Sequence, residues 1–161
     1  MRKAIFLDRD GVVNRDIGDY TYRMEDYELL PGVAEFLKER QEEGFVFVVI
    51  TNQAGIEKGI YGHQEVQAIH DRIRADLAEH GVNILEFYYA PYHETYSKCL
   101  SRKPGSIMVE KALARFRIDP KASWMIGDRE RDLEAAAKAG VKRLLLVPVN
   151  SDINKHWNEI K

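Results

Sequence analysis

Asp8-Arg9-Asp10-Gly11-Val12-Val13-Asn14 sets two carboxylates two residues apart where an apolar run, Ala4-Ile5-Phe6-Leu7, stops. If that run is a strand and Gly11 bends the chain after it, both acids point into one crevice. Like charges that close repel, and a bound cation is the natural remedy. Asp-x-Asp-Gly is also ordinary turn chemistry, so the pair alone leaves a cation site and a polar turn both open. Two further polar segments follow apolar runs in the same way: Thr51-Asn52-Gln53, and Gly127-Asp128-Arg129-Glu130-Arg131-Asp132. A cation, in Ser101-Arg102-Lys103-Pro104, precedes a helical pattern.

These groups can act together only if the fold brings them together. Apolar runs at residues 3–7, 45–50, 85–90, 123–126 and 143–147 alternate with helical patterns, the signature of a mainly parallel sheet. The helical faces are Val33, Phe36 and Leu37; Val66, Ile69, Ile73 and Leu77; Val109, Ala112, Leu113 and Phe116; and Leu133, Ala136 and Ala137. Glycines 44, 81 and 140 mark helix ends. The expected fold is an α/β, Rossmann-like three-layer sandwich. Ligands of open parallel sheets bind beyond the carboxyl ends of the strands. All three polar segments fall there, and the loop after the third strand carries Lys103 to the same edge.

With 161 residues, 45% apolar and 31% charged, the chain suits one domain over 1–161. A net charge of -2 and a pI near 6.2 give no polybasic footprint, so neither nucleic acid nor a membrane surface is an expected partner. A small solute is. The apolar stretch after Met1 is too short for a signal peptide, and no segment suits a spanning helix; a cytoplasmic monomer is the expectation. Cys99 is the sole cysteine, which excludes an internal disulfide.

In this order, the four segments resemble motifs one to four of the haloacid dehalogenase (HAD) superfamily of phosphotransferases, over nearly the whole chain. Within it, Asp8 to Asn14, Thr51-Asn52-Gln53-Ala54-Gly55-Ile56 and Arg102-Lys103-Pro104 resemble the group of heptose-bisphosphate and histidinol-phosphate phosphatases. The continuation Glu57-Lys58-Gly59 is more similar to the heptose side. The resemblance implies a magnesium-dependent phosphomonoester hydrolase acting on a phosphorylated sugar, with histidinol phosphate as the alternative substrate. A receiver-type phosphoacceptor also clusters acids, Thr and Lys on a parallel sheet. Motif order speaks against it, because Asp10 supplies an acid/base that a stable phospho-signal would lack.

Carried onto this chain, the resemblance makes Asp8 the nucleophile, Asp10 the proton carrier, Thr51 a phosphoryl ligand and Lys103 the charge stabiliser. Magnesium would be held by Asp8, the backbone carbonyl of Asp10, and Asp128. Substrate contacts would come from Asp16 and Asp19 on a flap, from Asn52 and Gln53, from Arg102, and from Arg129, where the heptose enzymes usually have lysine. Asp132 is a supporting acid or a solvated one. Between residues 14 and 30, Tyr20, Tyr22 and Tyr27 either pack or touch substrate, and no insertion is long enough for a separate cap domain. The relatives' zinc loop is degraded: His93 and Cys99 stand where Cys-x-His and Cys-x-Cys are usual, and zinc is not expected. His63, His70, His80 and His156 read as surface residues.

Overall fold

Side chains of β1 (Lys3–Leu7) alternate between two faces, and both faces are apolar: Ala4 and Phe6 on one, Ile5 and Leu7 on the other, all buried. A strand of this kind must be covered on both sides, which places it inside a parallel sheet. The computed structural model describes residues 1–92 and 101–160. In it, β2 (Phe45–Asn52), β3 (Glu86–Ala90), β4 (Trp124–Gly127) and β5 (Arg143–Leu146) join β1 in one parallel sheet of order β3-β2-β1-β4-β5.

Helices α1 (Val33–Glu42), α2 (His63–Ala78) and α5 (Ile153–Glu159) cover the face carrying Ile5, Leu7, Phe47 and Val49. On the other face, α3 (Ile107–Phe116) and α4 (Glu130–Lys138) cover Ala4, Phe6, Val48 and Ile50. This is the three-layer sandwich. Phe36, Leu37, Ile69, Ile73 and Leu77 are fully buried, each contributing about 1.5–3 kcal/mol relative to exposure. Among the described residues, no helix is long and apolar enough to cross a membrane.

Beyond one-residue shifts at the ends of β3, β4 and β5, two elements differ from the sequence expectation. β2 runs on through Thr51 and Asn52, because they pair with Tyr89 and Ala90 of β3; both polar residues therefore stand on the sheet itself. The short α5 is an addition, anchored by Ile153 and Trp157, whose indole meets the Phe36 ring edge-on at 5.3 Å and Trp124 at 4.6 Å. Leu7 lies beside both Val49 and Ile126, so β1, β2 and β4 deliver Asp8, Thr51 and Asp128 to one edge.

Candidate active site

Asp8 leaves β1 with its N–H donating to the Ile126 carbonyl (3.0 Å), which ties the residue to the sheet. Lys103, buried in the loop before α3, places Nζ 2.9 Å from Asp8 Oδ1, 2.6 Å from Asp132 Oδ1 and 2.9 Å from the Ile50 carbonyl. Asp8 and the Ile50 carbonyl accept hydrogen bonds from the ammonium, and Asp132 is its ion-pair partner. Burial disfavours the charged lysine, but Asp8 and Asp132 outweigh it and hold its pKa above the ordinary value. Asp8 is driven well above the carboxylate range, chiefly by burial, with Asp132 and Asp128 adding repulsion against the pull of Lys103. Burial likewise raises Asp128, with repulsion from Asp132.

Carboxylate oxygens of Asp8, Asp128 and Asp132 lie within 4.8 Å of one another. Three acids facing one lysine leave negative charge in excess. Asp128 Oδ1 is buried with no hydrogen-bond partner. An oxygen-seeking divalent cation answers both observations. Asp132 has both oxygens engaged, Oδ1 by Lys103 Nζ (2.6 Å) and Oδ2 by the Arg129 N–H (3.1 Å), whereas Lys103 takes only Oδ1 of Asp8, so Asp8 and Asp128 are the carboxylates suited to hold it. Gly11 permits this crowding: its φ of 90° is left-handed, and a side chain there would strike the Asp128 carboxylate.

Asp10 is held from several sides. Its Oδ1 accepts from Arg9 Nη2 (2.9 Å), Arg9 Nε (3.2 Å) and Asn14 Nδ2 (3.0 Å), and its Oδ2 accepts from Gln53 Nε2 (3.0 Å). Burial works to raise this carboxyl, but the Arg9 charge and these donors prevail and keep it below its ordinary value. Arg9 is itself buried, with Nη2 donating to the Thr21 carbonyl (3.1 Å) and Nη1 3.3 Å from His70 Nε2. His70, expected on the surface, is only 2% exposed. It shares the α2 face of Val66, Ile69, Ile73 and Leu77 and stacks on Phe87 at 4.4 Å. Burial, reinforced by the Arg9 charge, lowers its pKa to about 3. A neutral ring leaves Nε2 able to accept from Arg9.

Above these groups lies a cleft of about 410 Å³ lined by Asp8, Asp10, Thr51, Asn52, Gln53 and Lys103, with Asp16, Asp19 and Tyr20 of the flap and Arg129 on its sides. Arg131 lines it as well; sequence reading passed over it, although it sits in the same polar segment as Asp128. Asn52 braces the lysine loop, accepting from the Lys103 N–H (3.0 Å) and donating to the Lys103 carbonyl (3.2 Å). Asn150, also missed, staples the flap: Asp16 N–H donates to its Oδ1 (2.7 Å) and its Nδ2 donates to the Asp16 carbonyl (2.9 Å).

Arg102 is not among the lining residues of that cleft; its Nη1 donates to the Tyr92 carbonyl (3.1 Å). Asp128 lines an adjoining hollow with Asp16 and Arg129, and Asp132 caps α4 by accepting from the Arg129 N–H (3.1 Å). Of the flap tyrosines, Tyr20 lines the cleft, Tyr22 stacks on Tyr61 at 5.0 Å, and Tyr27 turns away to donate to Asp76 (2.8 Å). His93 and Cys99, on which the zinc expectation rests, lie outside the described residues.

Comparison with known proteins agrees with this geometry. A HAD-hydrolase-like family model matches residues 100–151. The chain is 38% identical over 151 residues to D-glycero-alpha-D-manno-heptose-1,7-bisphosphate 7-phosphatase of Photorhabdus laumondii subsp. laumondii, covering 90% of this chain and 82% of that protein. It is 40% identical over 152 residues to the D-glycero-beta-D-manno-heptose-1,7-bisphosphate 7-phosphatase of Haemophilus ducreyi, covering 91% and 83%. The crystal structure of D,D-heptose 1,7-bisphosphate phosphatase from B. bronchiseptica, complexed with magnesium and phosphate, superposes with a TM-score of 0.85 at 30% identity, covering 98% of this chain and 86% of that one.

Proposed function

Because this chain belongs to the D-glycero-D-manno-heptose-1,7-bisphosphate phosphatase family of HAD-like hydrolases, we propose that it hydrolyses the C7 phosphate of a D-glycero-D-manno-heptose 1,7-bisphosphate through an aspartyl-phosphate on Asp8. The observation that carries the reading is the Asp8 carboxylate on the cleft floor, 2.9 Å from Lys103 Nζ and within 4.8 Å of Asp128. Choice of substrate and of the C7 position is supported by the names of the relatives.

Asp8 attacks phosphorus in line and the sugar alkoxide departs, dividing one difficult hydrolysis into two easier displacements. Asp10 gives a proton to the alkoxide and later takes one from the attacking water, working from Oδ2, which accepts one bond, from Gln53, where Oδ1 accepts from both Arg9 and Asn14. Arg9, Asn14 and Gln53 hold Asp10 below its ordinary value before substrate arrives; the phosphate's negative charge raises it on binding, and Asp10 takes up from solvent water the proton that it then gives to the alkoxide. Thr51 donates its hydroxyl to a phosphoryl oxygen, and Lys103 balances charge gained in the transition state. Asp8, Asp128 and the Asp10 carbonyl are the groups to hold Mg2+, which supplies positive charge that lets anionic Asp8 approach an anionic phosphate. Its support is the buried, unpartnered Asp128 Oδ1 and the magnesium of the B. bronchiseptica structure.

Arg129 and Arg131 on the rim meet the second phosphate, with Arg102 beside the lysine loop, while Asp16 and Asp19 take sugar hydroxyls. We place the reaction in cytoplasmic lipopolysaccharide or related glycan assembly, carried out by a monomer without zinc or a cap domain. Phosphate release with Mg2+, compared across both heptose bisphosphate anomers, histidinol phosphate and simple sugar phosphates, tests the assignment. One heptose bisphosphate should exceed the others in kcat/KM by at least about 100-fold; a preference for histidinol phosphate would overturn it.

A further inference from the structure

Gln53 is buried, and each polar atom of its amide has a partner. Nε2 donates to Asp10 Oδ2 (3.0 Å) and to Thr51 Oγ1 (2.9 Å), while Oε1 accepts from the Tyr61 hydroxyl (2.6 Å). An ionised carboxylate only accepts, so the atom facing Asp10 has to be the NH2, and the atom facing Tyr61 is the carbonyl oxygen. Tyr61 must then donate. Burial pushes its phenol above the ordinary value and keeps that proton in place. Thr51 Oγ1, accepting from Gln53 (2.9 Å), gives its own proton only to a long bond with the Asn52 carbonyl (3.4 Å), which a phosphoryl oxygen in the cleft would replace.

We propose that Tyr61 is a positioning residue for phosphoryl transfer: its hydroxyl fixes the orientation of the Gln53 amide, which sets the proton carrier Asp10 and the phosphate ligand Thr51 together. The local sequence is arranged for this contact. A side chain at Gly55 would run into the Tyr61 ring, so glycine there makes room for it. The ring is further held by Tyr22, stacked at 5.0 Å, and by Tyr20, tilted at 5.7 Å. Through Tyr20, which lines the cleft, the flap rests on the residue that orients the acid. Without the hydroxyl the buried carbonyl loses its donor, and the amide can rotate to seek another, turning an acceptor toward Asp10.

This inference rests on the roles of Asp10 and Thr51 given above, and its test separates the two. Tyr61→Phe keeps the ring and removes only the O–H. Its kcat should fall about tenfold, with KM within about twofold of wild type, the size expected for one buried hydrogen bond felt at the chemical step. In a Gln53→Met background the same change should have no further effect, whereas a purely packing role would leave the two effects independent. Side-chain amide protons of Gln53, read by 15N NMR, should be protected in the wild-type protein and exchange at least about tenfold faster in Tyr61→Phe. An unprotected Gln53 amide in the wild type overturns the proposal without any variant. Unchanged kcat in Tyr61→Phe, or additive effects with Gln53→Met, overturns it while the phosphatase reading stands. A protein that protects the amide yet hydrolyses no heptose bisphosphate overturns the substrate reading and leaves the Gln53 geometry intact.

Discussion

Arg9 joins two groups of opposite electrostatic need. Its guanidinium keeps Asp10 ionised on one side, and on the other its charge adds to burial in keeping His70 neutral. The consequence for stability has a definite sign. Unfolded, the imidazole titrates near 6.5; folded, near 3. Between these values the unfolded chain binds the extra proton, so the stability linked to neutral His70 is complete above about pH 6.5 and is lost as pH falls toward 3, at up to about 1.4 kcal/mol per unit. Urea unfolding across that window should show a shallower pH dependence for His70→Gln than for the wild type; parallel curves would contradict the assignment. The burial of His70 had a signal in the sequence, its place on the Val66, Ile69, Ile73, Leu77 stripe, although a surface position was expected for it. The burial of Arg9 had none, because besides the adjacent Asp10 its partners, Thr21 and His70, lie further along the chain and nothing local marks an arginine as buried. Tyr61 escaped for the same reason, its role appearing only once Gln53 is seen turned toward Asp10.

At the scale of elements, β1 and β2 were readable because strands covered on both faces leave unbroken apolar runs. The helices with three or four apolar positions were readable from their period. The α5 helix was not: seven residues offer only Ile153 and Trp157, too few to show a period. Its place is set by tertiary contact, with Trp157 between Phe36 of α1 and Trp124 of β4. Trp157→Ala should therefore cost about 3–5 kcal/mol in denaturant unfolding, while kcat of the folded protein changes little, since the indole is remote from the cleft lining. A stability loss under about 1 kcal/mol would mean that α5 is dispensable to the core. The reach of β2 to Asn52 was also hidden, because polar Thr51 and Asn52 read as a loop although β3 pairs with them.

Over the whole molecule, the parallel sheet converts distance in sequence into proximity. Asp8, Thr51, Lys103 and Asp128 come from four separate segments, and level strand ends bring them to one edge where acids outnumber the lysine. That convergence was readable from motif order, whereas the rim was less so: Arg131 joins Arg129 on the cleft while Arg102 turns to the Tyr92 carbonyl. The reaction follows from one carboxylate being able to attack, one to carry the proton, and one to help hold a cation. Phosphate release from heptose 1,7-bisphosphate with Mg2+, followed by 31P NMR for the wild type and Asp8→Asn, tests this most directly. With the wild type the substrate should lose its C7 phosphate, and Asp8→Asn, similar in size but unable to form the acyl phosphate, should be slower by at least about 1,000-fold. Asp8→Asn turning over at the wild-type rate would contradict the account.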